Sequence, residues 1–103
     1  MPEGFKTEDV LSVYVDKLLP GSSYEGIMQL LEFMYGGVFS QKDMSYIIHK
    51  CGVSLAKQHP WVKEIKVPEN YSDTPAHLWM EDIVKKYGET HSVEPLKKGE
   101  IIS

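Results

Sequence analysis

The side chains best suited to metal ligation in this 103-residue chain are four histidines and one cysteine. His49 and Cys51 stand two apart on a predicted helix, which points them to different faces. His59, His77 and His91 are widely spaced, with no CxxC, HxxxH or HExxH pattern around them. His77 and Glu81 are four apart and can share a helix face as two ligands of a site, but an ordinary surface pair beside Lys85 explains them as well. The expectation is no metal and no cofactor. Nucleophilic chemistry fares no better: Cys51 lies on an apolar stripe, where a buried and inert thiol is the natural reading, and no GxSxG elbow is present. A carboxylate pair for acid–base work would have to be assembled by the fold, since no local pattern proposes one.

Anion binding has a little more to draw on. The chain contains neither GxxxxGK[ST] nor GxGxxG. Gly36-Gly37 does precede a helix start at Ser40-Gln41-Lys42, and helix N-termini attract anions, although a plain interhelix turn accounts for the same residues. Tyr35, Phe39 and Lys42 are candidate ligand contacts in that loop and helix start. Six tyrosines and two tryptophans supply rings with polar tips, suited to stacking on a base or to an interface.

The elements that must position these groups are mostly helical. Thr7-Glu8-Asp9 reads as a cap and acidic first turn, and Leu11, Tyr14, Val15, Leu18 and Leu19 follow at helical spacing, ending at Pro20-Gly21. The β-branched Val10, Val13 and Val15 leave a strand open for this segment. Ser22 to Glu25 has the form of a capping box, Ile27, Leu30, Leu31 and Met34 form a stripe, and Gly36-Gly37 stops the second helix. A third helix begins at Ser40 with its hydroxyl cap, carries Met44, Ile47, Ile48, Cys51 and Leu55, and closes at His59-Pro60. Gly52 inside it suggests close approach by another backbone. Pro60 to Ile65 reads as a short turn of helix, and Glu69 to Thr74 as a polar loop. Thr74-Pro75 opens a fourth helix whose apolar side is Leu78, Trp79, Ile83, Val84 and Tyr87, with Gly88 as its stop. His91 to Leu96 alternates as an extended arm or edge strand, and Ile101-Ile102 is a further anchor. The fold class is therefore mainly α: one domain, residues 1–103, a compact bundle of about four helices with a short extended C-terminal arm, minor β content, and a core small enough to favour an oligomer.

Composition narrows the partners. Lys+Arg is 11 against Asp+Glu 15, so the net charge is −4, and all eleven basic residues are lysines. A duplex reader needs a basic stripe and bidentate arginines, so duplex nucleic acid is not expected. A single cysteine cannot build a disulfide framework and fits a reducing compartment. Met1-Pro2-Glu3-Gly4 lacks a basic n-region, and no apolar run approaches the roughly 20 residues that span a bilayer. The expected setting is cytoplasmic, away from membranes.

Four segments taken together resemble a family of small uncharacterised proteins carried by bacteriophages and prophages. They are Phe5 to Leu19 around Asp9-Val10-Leu11-Ser12-Val13, then Leu30-Leu31-Glu32-Phe33-Met34-Tyr35-Gly36-Gly37, then Gln58-His59-Pro60, and finally Tyr87-Gly88-Glu89-Thr90 with Val93-Glu94-Pro95-Leu96. The order is the family's, and the segments span nearly the whole chain. Tyr14, Val15 and Asp16 replace small residues and a glycine, and Lys17 replaces an arginine. The resemblance implies a phage source, one shared fold and the host cell cytoplasm, and it brings no assigned chemistry. Polar residues inside its motifs become candidate ligand contacts: Ser12, Gln58, His59, Tyr87 and Glu89, each of which also has an ordinary structural reading.

A phage context favours binding over turnover. The first expectation is a non-catalytic counter-defence protein that sequesters a small nucleotide-type host immune signal at a site formed in a homo-oligomer. Aromatic rings for stacking and lysines for phosphate are the materials such a site needs. The second is an inhibitor that presents an acidic face to a host defence protein. The third is a small phage hydrolase or phosphodiesterase using dispersed His and Glu.

Overall fold

A computed structural model describes residues 2–68 and 75–97, and the statements below concern those residues. Strand β1 (Glu3–Lys6) leads directly into helix α1 (Thr7–Val15), followed by α2 (Tyr24–Tyr35), a 3-10 turn (Gln41–Asp43), α3 (Met44–Gln58), a second 3-10 turn (Pro60–Glu64), α4 (Ala76–Tyr87) and β2 (Thr90–Val93). The two strands pair antiparallel, with Glu3 opposite Val93 and Phe5 opposite His91. The first segment is thus a helix, and the minor β content is one two-stranded ribbon.

Helix α1 is the centre of the molecule. It touches α2, α3, α4 and both strands, which explains why Val10, Leu11 and Val13 are all buried. Each fully buried side chain of this size contributes about 1.5–3 kcal/mol. Around α1 pack Leu30, Leu31 and Met34 from α2, Ile47, Cys51 and Leu55 from α3, and Met80 and Ile83 from α4. The arm adds Val93 and Leu96, and the Leu96 N–H donates to the Met34 carbonyl.

Several boundaries differ from the sequence reading, each for a local reason. Helix α1 ends at Val15, short of Pro20-Gly21. Asp16 adopts φ 55, its N–H donates to the Val13 carbonyl, and the Lys17 N–H donates to Ser12. This is the Schellman arrangement, with an aspartate in the left-handed position usually given to glycine. Leu19 turns back into the core, with its N–H donating to the Ser12 hydroxyl, while Leu18 is left 62% exposed. Thr7 is no cap either. It is the first helical residue, fully buried, with its hydroxyl donating to the Gly88 carbonyl and its N–H to Glu89. In α2 the cap is Ser23, whose hydroxyl accepts from the Gly26 N–H. Ser22 instead donates to the Asp9 carboxylate, so the cap moves by one residue and its N3 position falls on Gly26, which has no side chain to complete a capping box.

The remaining helices follow the expected pattern more closely. Gly36 takes φ 96 and stops α2, with the Gly36 and Gly37 N–H groups both donating to the Glu32 carbonyl. Ser40 donates to Asp43 across the first 3-10 turn and does not cap the backbone. A Cβ at Gly52 would meet backbone atoms of Tyr14 and Val13 at 3.7–3.8 Å, so α1 does approach α3 by its main chain there. In α4, Met80 takes the core position and Leu78 is exposed. The Glu69 to Thr74 loop, the Thr74 cap and the Ile101-Ile102 anchor lie outside the described residues.

Candidate functional site

The C-terminal end of α3 brings two of the candidate residues, Gln58 and His59, onto the arm. The Gln58 amide behaves like a piece of strand: Nε2 donates to the Glu94 carbonyl (3.1 Å) and Oε1 accepts from the Glu94 N–H (2.7 Å). Nε2 also donates to the Ser54 hydroxyl one turn back (3.0 Å). His59 Nε2 donates to the Ser92 carbonyl at 2.7 Å, which fixes the proton on that nitrogen in the neutral ring. These residues, with Lys57, Pro95 and Lys97, line an open groove of about 560 Å³.

A stack of rings continues from this clamp. Trp61 lies against Tyr87 at 4.5 Å with planes 16° apart, and against His91 at 4.8 Å. His91 also meets His59 edge-on at 5.2 Å. Burial, and then the neighbouring His59, lowers the His91 pKa below its ordinary value. Tyr87 is therefore a packing partner at the end of α4, joined by Lys86 over its outer face at 5.3 Å.

The other candidates are dispersed. Ser12 is buried within α1, donating to Glu8 and accepting from Leu19. Tyr35 and Phe39 meet edge to face at 5.7 Å across the Gly36-Gly37 loop. Lys42 is exposed in the first 3-10 turn. Glu89 accepts from the Thr7 N–H through its carbonyl and lines a different groove with Glu8, His77, Glu81 and Lys85. His77 and Glu81 do share that face, yet among the described residues no group of three or more His, Cys, Asp or Glu is placed to hold a metal ion. Cys51 is buried.

A further groove combines lysines with an aromatic ring, and none of the candidate ligand contacts singled out from sequence lines it. About 480 Å³ lies between the C-terminal end of α1 and the face of α3 turned toward it, beside the second 3-10 turn. Its floor is Val13, Ile48, Gly52 and Ala56, and Tyr14, His49, Lys57 and Lys63 stand around it with a single acid, Asp16. The low floor has a local cause: Ser45, Gly52 and Ala56 are small and lie with His49 at helical spacing along one face. That stripe was readable in the sequence. Lys63 was not, since a proline-led turn brings it there.

Among the described residues the charge balance differs from groove to groove as well. Lys57 belongs to both grooves beside α3, which together gather Lys57, Lys63 and Lys97 against Asp16 and Glu94. Around the N-terminal end of α1 the balance reverses, with Glu3, Asp9 and Glu25 against Lys6 on one groove and Glu8, Glu81 and Glu89 against Lys85 on another. No described helix is long and apolar enough to cross a membrane. No protein-family model, curated protein or solved structure matches the chain.

Proposed function

We propose that this protein binds a small nucleotide-type anion without turnover, and that it does so as a phage counter-defence protein sequestering a host immune signal. The observation that carries the reading is the pair of grooves on α3, where three lysines outnumber two carboxylates in a chain of net charge −4. Lys57 and Lys63 supply ammonium groups for phosphates, Tyr14 offers a ring for a base, and the small residues Ser45, Gly52 and Ala56 leave the groove between them. Both grooves are open to solvent in one copy, so a second copy closing over them is the natural way to surround the ligand, in the manner of a homo-oligomeric site. The phage setting and the host cytoplasm rest on the four ordered motifs.

Gln58 and His59 act here by holding the arm beside Lys57, and Tyr87 packs on Trp61 in the ring stack that continues from them. A second reading, inhibition of a host protein by contact, is favoured by the acidic surface around the start of α1.

The test is depletion and recovery. Purified protein is mixed with cyclic mono- and dinucleotides and ADP-ribose-type signals, removed by filtration, then denatured. One ligand should disappear from the filtrate and return intact from the denatured protein. Return of a cleaved product would assign turnover, and depletion of none of the set would overturn the reading.

A further inference from the structure

The ribbon of β1 and β2 has one covered edge and one open edge. The bond from the Thr7 N–H to Glu89 marks an in-ladder pair, so by alternation the pairs Phe5–His91 and Glu3–Val93 exchange ladder bonds while Gly4 and Ser92 point outward. The outward Ser92 carbonyl agrees, since it accepts from His59 on the covered side. On the other side the Gly4 N–H and carbonyl face a groove of about 420 Å³. All four residues of β1 line it on one side, and the N-terminal half of α2 lines it on the other. Carboxylates of Glu3 and Glu25 border it with the buried Asp9, which Ser22 already holds, and its one cation, Lys6, is engaged with the Gly21 carbonyl at 2.8 Å.

We propose that this edge accepts an extended, lysine- or arginine-bearing segment of a partner protein as a third strand. The main chain of the segment would pair with Gly4, and its basic side chains would meet Glu3 and Glu25. Gly4 suits the role because it has no side chain to obstruct the incoming strand, and a Cβ built there meets nothing within 4 Å. The site shares no residue with the basic grooves, so failure of either proposal leaves the other standing.

The test uses the full chain, isotope-labelled, titrated with a capped hexapeptide alternating lysine and valine. The expected result is a shift and slowed exchange of the Gly4 amide, with binding at least about tenfold weaker for the glutamate–valine counterpart and for the lysine peptide N-methylated on its pairing face. Gly4→Pro should abolish binding, because the outward N–H is lost while the β1–β2 ladder keeps its bonds. Should that variant fail to fold, the N-methylated peptide decides the matter. An unmoved Gly4 amide, equal binding of the N-methylated peptide, or preference for the acidic peptide overturns the proposal. Shifts that arise without peptide as protein concentration rises would assign the edge to a second copy and overturn it equally.

Discussion

Gln58 shows how one side chain can replace a strand. Its amide satisfies both backbone groups of Glu94 and the Ser54 hydroxyl, so truncation leaves three hydrogen bonds unmade. Gln58→Ala should cost about 1–2 kcal/mol and speed amide exchange at Glu94 and Leu96, while exchange within α2 stays slow. His91 carries a second prediction at this scale. Its folded-state pKa lies below the ordinary 6.5 because of burial and His59, so between those two values the unfolded chain binds more protons than the native one. Stability should therefore fall as pH drops below about 6.5. Melting curves from pH 7.5 to 5.5 should show this slope, and His91→Gln should reduce it. Helix-ending residues such as Gln58 and His59 were legible from the following proline. Their partners were not, because Ser92 and Glu94 lie 33 and 36 positions away in the chain.

The helices make a contrast between two glycines. At Gly52 a methyl group would sit at ordinary contact distance from α1, nearest atom 3.7 Å. Gly52→Ala should therefore raise stability by about 0.5–1 kcal/mol through helix propensity. Gly26 is the reverse case. Its Cβ would lie 2.6 Å from an Asp9 carboxylate oxygen, and Asp9 is buried and held by Ser22. Gly26→Ala should cost about 1–3 kcal/mol, read in a denaturant midpoint, since the carboxylate cannot swing away without losing its partner. The second, third and fourth helices were readable because their apolar stripes are local and periodic. The early end of α1 was not, since nothing in Val15-Asp16-Lys17 breaks the pattern and the stop depends on a left-handed aspartate and the Ser12 hydroxyl. β1 was missed for a related reason: four residues make a strand only when a partner some ninety positions away pairs with them.

Among the described residues, acid-rich and lysine-bearing grooves lie toward opposite ends of α1. Carboxylates outnumber lysines around the N-terminal end of α1, and Lys57 and Lys63 outnumber Asp16 on the groove beyond its C-terminal end. Composition alone shows the −4 and hides this division, because it depends on which faces α1 and α3 turn outward. A ligand bound at about a hundred times its Kd adds roughly 2.7 kcal/mol, and for a domain of this size that raises Tm by roughly 10–20 °C. The gain should shrink with salt, since partly exposed lysines make the contacts. The most direct measurement is calorimetric titration of the depleted nucleotide into the wild-type chain and into the Lys57→Glu and Lys63→Glu variants, each first shown to melt like the wild type. Binding that weakens at least about tenfold in both variants is the predicted result. Unchanged affinity in both would contradict the placement of the site on α3.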